Sequence, residues 1–151
     1  ALMPKQNREF DIIVYGATGY TGRLVAEYLS QHYGTMDNGP KWAMAGRSLA
    51  KLEAVRDEIG APATTPLVVA DADDPASLEA MCRRTRVVLT TVGPYQLYGD
   101  GLVSACVKTG TDYADLCGEP VWMRQKIDEH MEAATASGAR CRPPGRTATA
   151  R

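Results

Sequence analysis

Short apolar runs alternate along the chain with longer segments in which apolar residues recur at helical spacing. A short β-branched run bounded by glycine is typical of a buried parallel strand, and the longer segments are typical of amphipathic helices. The pattern predicts five strands, at Asp11–Tyr15, Lys41–Ala45, Leu67–Ala70, Val87–Val92 and Asp112–Leu116. Five helices are expected to follow them, beginning near Thr21, Leu49, Pro75, Gly101 and Val121.

The alternation of strands and helices implies right-handed crossovers and a parallel sheet that is covered on both faces. We therefore expect the α/β fold class, with a doubly wound, Rossmann-type parallel sheet. Ser48 and Asp74 are expected to cap the second and third helices. The face of the first helix that is expected to be buried consists of Leu24, Val25, Tyr28 and Leu29.

Three regions are expected along the 151 residues: a disordered leader at 1–9, a dinucleotide-binding domain at 10–140 and an atypical tail at 141–151. The tail carries two prolines and a glycine, which a central strand does not accept. It is basic and contains no acidic residue, so a disordered end and a polyanion-binding tail are both open interpretations. A change of reading frame near Arg140 is a third.

Composition narrows the classes of function. A formal net charge of −1 argues against non-specific nucleic-acid binding, which needs a basic face. The longest apolar runs have strand length, so no transmembrane segment is expected. The four cysteines form no C-x-x-C pair and are expected to be reduced thiols of a cytoplasmic protein, not a metal site.

A glycine motif with the spacing G-x-x-G-x-x-G lies between the first strand and the first helix. Gly16 permits a sharp turn, Gly19 permits close approach of a pyrophosphate, and Gly22 permits close packing of the helix on the strand. The amide groups and the positive dipole end of that helix then face an anion. The alternative is a glycine-rich turn with no ligand. The residues of this motif that are expected to bind a cofactor are Gly16, Ala17, Thr18, Gly19, Tyr20, Thr21 and Gly22.

The end of the second strand predicts the type of dinucleotide. An acidic residue there selects NAD through the ribose 2′-hydroxyl, whereas a basic residue suits the 2′-phosphate of NADP. This chain has Arg47 and Ser48 at that position and no acidic residue, so NADP(H) is favoured over NAD(H). The alternative for Arg47 is a solvated side chain.

Two further strand ends are expected to reach the cofactor. Asp71 follows the third strand and is a candidate for contact with adenine, with a loop cap as the alternative. Val92, Gly93 and Pro94 follow the fourth strand, where glycine permits close approach of the backbone.

Four sequence segments together resemble the N-terminal domain of the saccharopine dehydrogenase-like oxidoreductases. These segments are Val14–Gly22, Ala45–Ser48, Thr91–Tyr95 and Tyr113–Glu119. Within that family, the trans-acting enoyl reductases of complex-lipid biosynthesis are the most similar branch. The resemblance implies an NADP-binding domain that is followed by a C-terminal substrate domain, and the chain is expected to be truncated before the latter.

Candidates for the chemistry are few. Tyr95, Asp115 and Glu119 are expected near the carboxyl ends of strands. Tyr95 is a candidate proton donor or a packing group, and the two carboxylates are candidate acid–base groups or helix caps.

We therefore expect the cofactor domain of an NADP-dependent oxidoreductase that acts on a C=C, C=O or C=N bond, with a small-molecule or lipid-like substrate. The isolated domain is expected to bind cofactor without turnover. A cytoplasmic location, including one peripheral to a membrane, and a homo-oligomer formed through an unpaired sheet edge are further expectations. The alternative function is a non-catalytic sensor or scaffold that binds NAD(P).

Overall fold

The computed structural model describes residues 4–34, 37–92, 95–115, 129–130 and 132–142. It contains strands β1 (Phe10–Tyr15), β2 (Trp42–Gly46), β3 (Leu67–Val69), β4 (Thr85–Thr90), β5 (Asp112–Ala114) and β6 (Cys141–Arg142). The helices are α1 (Tyr20–Tyr33), α2 (Leu49–Glu58), α3 (Pro75–Arg83) and α4 (Tyr95–Thr109), and a short 3₁₀ helix covers Lys5–Asn7. Residues 129–130 and 132–137 are also helical, within the range expected for the fifth helix.

The six strands form one parallel sheet in the order β3-β2-β1-β4-β5-β6. The chain first builds outward from β1 through β2 to β3, then crosses to the other side of β1 and builds outward again. The reversal of strand order therefore falls between β1 and β4, and it leaves a crevice at their carboxyl ends. The predicted fold class is confirmed.

Apolar side chains fill both faces of the sheet. On one face, α1 and α2 pack over β1 and β2 around the fully buried Val14, Met44 and Leu52. On the other face, α3 and α4 pack around Ile13 and Leu78. Both faces of β1 are buried, with Ile13 in one core and Val14 in the other, which explains why Ile12, Ile13 and Val14 are all apolar.

The predicted buried face of α1 is only partly right. Leu29 is 7% exposed, but Leu24 is 48% and Tyr28 is 54% exposed. Gly22 and Ala26 are buried in place of these two. Arg23 forms an exposed ion pair with Glu58 of α2. The buried side of α1 carries small residues because the helix lies close to the sheet. The prediction relied on the spacing of large apolar residues and therefore missed these small ones.

The structure also corrects the start of α4. The prediction placed it near Gly101, but the helix begins at Tyr95, so Gly101 lies in its interior. A Cβ at Gly101 would lie 3.3 Å from Cδ1 of Leu78 in α3. The glycine therefore serves close packing of the two helices and does not mark a helix end.

The expected disordered leader is wrong for its described part. Arg8 is only 8% exposed, and its guanidinium donates to the carbonyl oxygens of Cys82, Thr85 and Thr109 and to the hydroxyl of Thr111. These acceptors lie at the ends of α3 and α4 and at the starts of β4 and β5. The segment is ordered because it supplies the donor that satisfies them.

The expected start of the tail at 141 is also corrected. Cys141 and Arg142 form β6 and pair in parallel with Tyr113 and Ala114 of β5. This two-residue strand lies at the edge of the sheet and precedes the two prolines in the sequence, so it contains neither of them. Arg140 precedes it and donates to both carboxylate oxygens of Asp112.

In the part of the chain that the structure describes, no helix has the length and apolar character needed to cross a membrane. Among the same residues, no cluster of acidic, histidine or cysteine side chains is arranged to hold a metal ion. Cys82 and Cys106 are buried free thiols whose sulfur atoms lie 3.7 Å apart, and Cys141 is an exposed free thiol.

Candidate functional site

The glycine turn joins β1 to α1 at the point where strand order reverses. Gly16 has a φ of 85°, a left-handed conformation that L side chains rarely adopt. A Cβ at Gly22 would lie 2.1 Å from the carbonyl oxygen of Gly16, and one at Gly16 would lie 2.6 Å from Cγ2 of Val92. The backbone at these two positions therefore leaves no room for a side chain. This is the close approach of strand, turn and helix that the motif predicted.

The start of α1 differs from the starts of the next two helices. Ser48 caps α2 by accepting from the amide of Lys51, and Asp74 caps α3 by accepting from the amide of Ser77. The N-cap of α1 is Gly19, which has no side chain to accept from the first amides of the helix. Those amides and the positive dipole end are available to an anion from outside.

A cavity of about 390 Å³ opens beside this helix start. It lies at the carboxyl ends of β1, β2, β3 and β4, on the edge of the sheet where open parallel sheets bind ligands. Its lining consists of Tyr15, Gly16, Thr18, Gly19, Gly46, Arg47, Asp71, Ala72, Asp73, Thr91 and Val92.

Six of the residues predicted to bind a cofactor line this cavity: Gly16, Thr18, Gly19, Arg47, Asp71 and Val92. Five others do not line it. Gly22 and Ala17 are buried behind the turn, Tyr20 is 82% exposed, Thr21 is exposed, and Ser48 caps α2. Gly93 and Pro94 lie outside the described residues.

Asp71 has the loop-cap role that was the alternative, and it also lines the cavity, while its contact with adenine stays a prediction. Its Oδ1 accepts from the amide of Asp73 at 2.9 Å, which is a loop cap, and the residue also lines the cavity. The hydroxyl of Ser77 donates to the carbonyl oxygen of Asp71, so the start of α3 holds this loop in place.

The sequence did not single out Tyr15 and Thr91, which form part of the cavity wall. Burial raises the pKa of Tyr15, and the negative charge of Asp71 raises that pKa further. Its hydroxyl is therefore protonated at neutral pH and is a neutral hydrogen-bonding group in the wall. The position of Tyr15 at the end of a strand directly before a glycine turn is the signal that could have identified it.

Of the three residues predicted to take part in the chemistry, the structure describes the side chain of Asp115 alone. Asp115 follows β5 and is 6% exposed. Tyr95 is the first residue of α4, and its side chain lies outside the described residues, as does all of Glu119. Their proposed roles stay predictions.

A doubly wound parallel sheet with an open helix start and a cavity at its switch point defines a dinucleotide-binding Rossmann domain. The family model described as the saccharopine dehydrogenase NADP binding domain matches residues 12–141. The chain belongs to this family, and the predicted preference for NADP agrees with it.

Curated relatives are similar over nearly the whole chain. The chain is 51% identical over 139 residues to a trans-acting enoyl reductase of Mycobacterium ulcerans (strain Agy99). The match covers 91% of this chain and 32% of that protein. The trans-acting enoyl reductase of Mycobacterium leprae (strain TN) is 52% identical over 139 residues, and the match again covers 91% of this chain and 32% of that protein. The chain thus spans about a third of the length of these relatives.

Solved structures of low sequence identity share the fold. Saccharopine dehydrogenase (L-Glu forming) from Saccharomyces cerevisiae, in its apo form, aligns with a TM-score of 0.67 at 16% identity, over 89% of this chain and 26% of that chain. The triphenylmethane reductase of Citrobacter sp., complexed with NADP(H), aligns with a TM-score of 0.62 at 19% identity, over 89% of this chain and 48% of that chain.

The residues present fit the cofactor of this family. The turn leaves space that a Cβ at Gly16 or Gly22 would fill, and the uncapped start of α1 presents amides for a diphosphate. Arg47 is exposed on the cavity wall, where its guanidinium is accessible to a phosphate.

Proposed function

We propose that the chain binds NADP(H) at this cavity as the cofactor domain of an oxidoreductase that reduces a polarised double bond. The observation that carries the proposal is the uncapped start of α1 directly behind the crowded turn of Gly16 and Gly22. The diphosphate is assigned to the turn from Gly16 to Gly22. Gly22 acts there through close packing on the turn, Ala17 is buried behind the turn with its amide on Ala45, and Thr18 and Gly19 line the cavity.

The 2′-phosphate is assigned to Arg47. This residue follows β2, the strand next to β1 in the sheet, so its guanidinium lies beside the turn that would hold the diphosphate. A planar guanidinium forms paired, charge-assisted hydrogen bonds with phosphate oxygens. No acidic residue takes the place that would select NAD. Ser48 is assigned a supporting role, because its side chain caps α2 beside the same loop.

The adenine is assigned to the wall formed by Asp71 and Ala72, at the end of β3. The nicotinamide is assigned to the opposite side, toward Val92 after β4. This order follows the sheet from β3 across β1 to β4, and therefore places the two ends of the dinucleotide on opposite sides of the switch point.

Bound NADPH supplies a hydride, and the protein's contribution to such a reaction is to bind, orient and exclude competing reactions. The described residues of the cavity perform binding and orientation. The substrate side is assigned to the part of the relatives that lies outside the match. We therefore propose that this domain alone binds cofactor without turnover, and that the whole protein reduces an enoyl group of a lipid-like substrate.

Titration calorimetry of the chain with NADPH and with NADH tests the proposal. We expect tighter binding of NADPH, and we expect Arg47→Ala to lower its affinity about 10- to 100-fold, as for the loss of contacts to a charged group. The affinity for NADH should change little. Arg86→Ala is the matched control. Arg86 is also exposed, but it lies at the opposite end of the sheet, where it forms an ion pair with Asp11. Equal affinities of the unaltered chain for both dinucleotides would contradict the assignment of Arg47.

The rate of NADPH oxidation separates this function from that of a non-catalytic sensor. The chain is mixed with NADPH and an enoyl thioester, and the absorbance of NADPH is followed. The same assay is applied to the full-length relative of M. ulcerans. Turnover by the longer protein alone supports the cofactor-domain proposal, whereas absence of turnover in both favours the sensor.

A further inference from the structure

Thr91 follows β4 at the switch point and reaches across to the end of β1. Its Oγ1 lies 3.2 Å from the carbonyl oxygen of Tyr15 and 3.3 Å from that of Gly16, so the hydroxyl donates to this pair of acceptors. Its backbone amide also donates to the carbonyl oxygen of Tyr15, at 3.1 Å. Thr91 thus makes the contact between β4 and the first residue of the glycine turn.

The hydroxyl occupies the space that two glycines leave open. A Cβ at Gly22 would lie 2.7 Å from Oγ1 of Thr91, and a Cβ at Gly16 would lie 3.0 Å from it. Oγ1 is therefore in close contact with both the turn and the first turn of α1. The side chain of Thr91 is small enough for this space, and its hydroxyl can donate to the carbonyl oxygen of Gly16.

The peptide between Gly16 and Ala17 is held from both of its ends. Its carbonyl oxygen accepts from the amide of Gly19 at 3.0 Å and from Thr91, while its amide donates to the carbonyl oxygen of Ala45 in β2 at 3.1 Å. The two strands that flank β1 thus both fix the turn. Thr91 is the side-chain contribution from β4, since the bonds from Gly19 and to Ala45 are made by backbone.

We propose that Thr91 is a positioning residue for the dinucleotide. Its hydroxyl holds the Gly16 peptide, and with it the start of α1, in the orientation that directs the first amides of that helix toward the diphosphate. This inference rests on the proposed function, because it concerns the same cavity. Since the diphosphate is common to NADP and NAD, Thr91 affects the affinity for both and not the preference between them.

The test compares Thr91→Val, which keeps the shape and removes the hydroxyl, with Thr91→Ser, which keeps the hydroxyl. We expect Thr91→Val to weaken binding of NADPH and of NADH by the same factor, about 3- to 10-fold, as for one hydrogen bond. Thr91→Ser should restore both affinities to within about twofold of the unaltered chain. Binding is measured by titration calorimetry at a temperature where thermal unfolding shows each variant to be folded.

Thr85→Val is the matched control. Thr85 also lies on β4, is fully buried and donates from its hydroxyl to a carbonyl oxygen, that of Val87, but at the end of the strand away from the cavity. This variant should lose stability and keep its affinity for both dinucleotides. If Thr91→Val does not fold, Thr91→Cys replaces it, because a thiol is a weak donor of similar size.

The outcomes separate the two proposals. Absence of binding by the unaltered chain overturns the proposed function and this inference with it. Binding by the unaltered chain together with unchanged affinity of Thr91→Val or Thr91→Cys overturns this inference alone. Equal losses of affinity in Thr91→Val and Thr85→Val also overturn it, as does failure of Thr91→Ser to restore affinity. In either case the hydroxyl of Thr91 would have no specific role in binding.

Discussion

The backbone of Gly22 lies so close to Gly16 that a Cβ at position 22 would fall 2.1 Å from the carbonyl oxygen of residue 16. This distance is far below van der Waals contact, and the obstructing atom belongs to the backbone and not to a flexible side chain. The first turn of α1 and the end of β1 therefore have one relative placement that permits the short turn between them. The cavity beside the start of α1 depends on that placement.

Gly22→Ala is predicted to destabilise the domain by more than about 2 kcal/mol and to abolish binding of NADPH, because α1 must move away from the turn. Urea unfolding and calorimetric titration measure the two effects. Gly60→Ala is the control: Gly60 has a φ of 73° and open space around its Cβ position, so only backbone strain of about 1 kcal/mol is expected, with binding intact. Retention of NADPH binding by Gly22→Ala would be incompatible with the geometry of the turn.

The exposure of α1 side chains predicts a contrast between two leucines. Leu29→Ala should cost about 2–4 kcal/mol of unfolding free energy, since Leu29 packs in the core with α2. Leu24→Ala should cost less than about 0.5 kcal/mol, because Leu24 is about half exposed. Chemical denaturation of both variants measures these losses. Similar losses of unfolding free energy in the two would show that Leu24 is buried as the sequence spacing predicted.

Arg8 is predicted to be essential for stability although it precedes the first strand. Arg8→Met removes a donor to three buried carbonyl oxygens, of which that of Cys82 keeps a bond from Thr111, and should lower the unfolding free energy by about 2–4 kcal/mol. Arg8→Lys keeps the charge but not the planar arrangement of donors, so an intermediate loss is expected. Thermal unfolding of the two variants ranks them, and an unaltered midpoint for Arg8→Met would contradict the role of this segment.

Asp112 predicts a dependence of stability on pH. Burial alone would raise the pKa of Asp112, but hydrogen bonds from Lys5 and Arg140 outweigh it and hold the pKa below its usual value of 3.8. The folded state thus binds this proton less tightly than the unfolded state does. The stabilisation is fully present above the unfolded pKa and is lost as the pH falls through the lowered, folded pKa.

Asp112→Asn tests this dependence, because asparagine does not titrate. Urea unfolding of the unaltered chain and of the variant is measured from neutral pH to about pH 3. The difference in unfolding free energy should stay constant at neutral pH and shrink in the acid range. A difference that is independent of pH over the whole series would show that the carboxylate charge contributes nothing.

Local signals explain which features the sequence predicted well. The glycine motif, the caps at Ser48 and Asp74, and the apolar strands each depend on residues near one another in the chain, and the structure has them as expected. The positions of Arg47 and Asp71 beside the glycine turn were predictable because the ends of parallel strands meet at one edge of the sheet. Alternation of strands and helices was sufficient to predict that edge.

Contacts between distant parts of the chain were not predictable in the same way. Thr91 meets Gly16 across 75 residues, and Arg8 meets Thr111 across 103. Neither contact is indicated by residues nearby in the chain, and a polar residue outside an apolar pattern is interpreted as a solvated one. The interior glycine at 101 was mistaken for a helix start because its reason, the nearness of Leu78, lies in another helix.

Lys5 and Arg140 come from opposite ends of the described chain, and both bind the carboxylate of Asp112 at the amino end of β5. Neutralising this one carboxylate would therefore loosen both flanking segments at once. The clasp and the glycine turn lie at opposite ends of the sheet, so that loosening would begin away from the cavity.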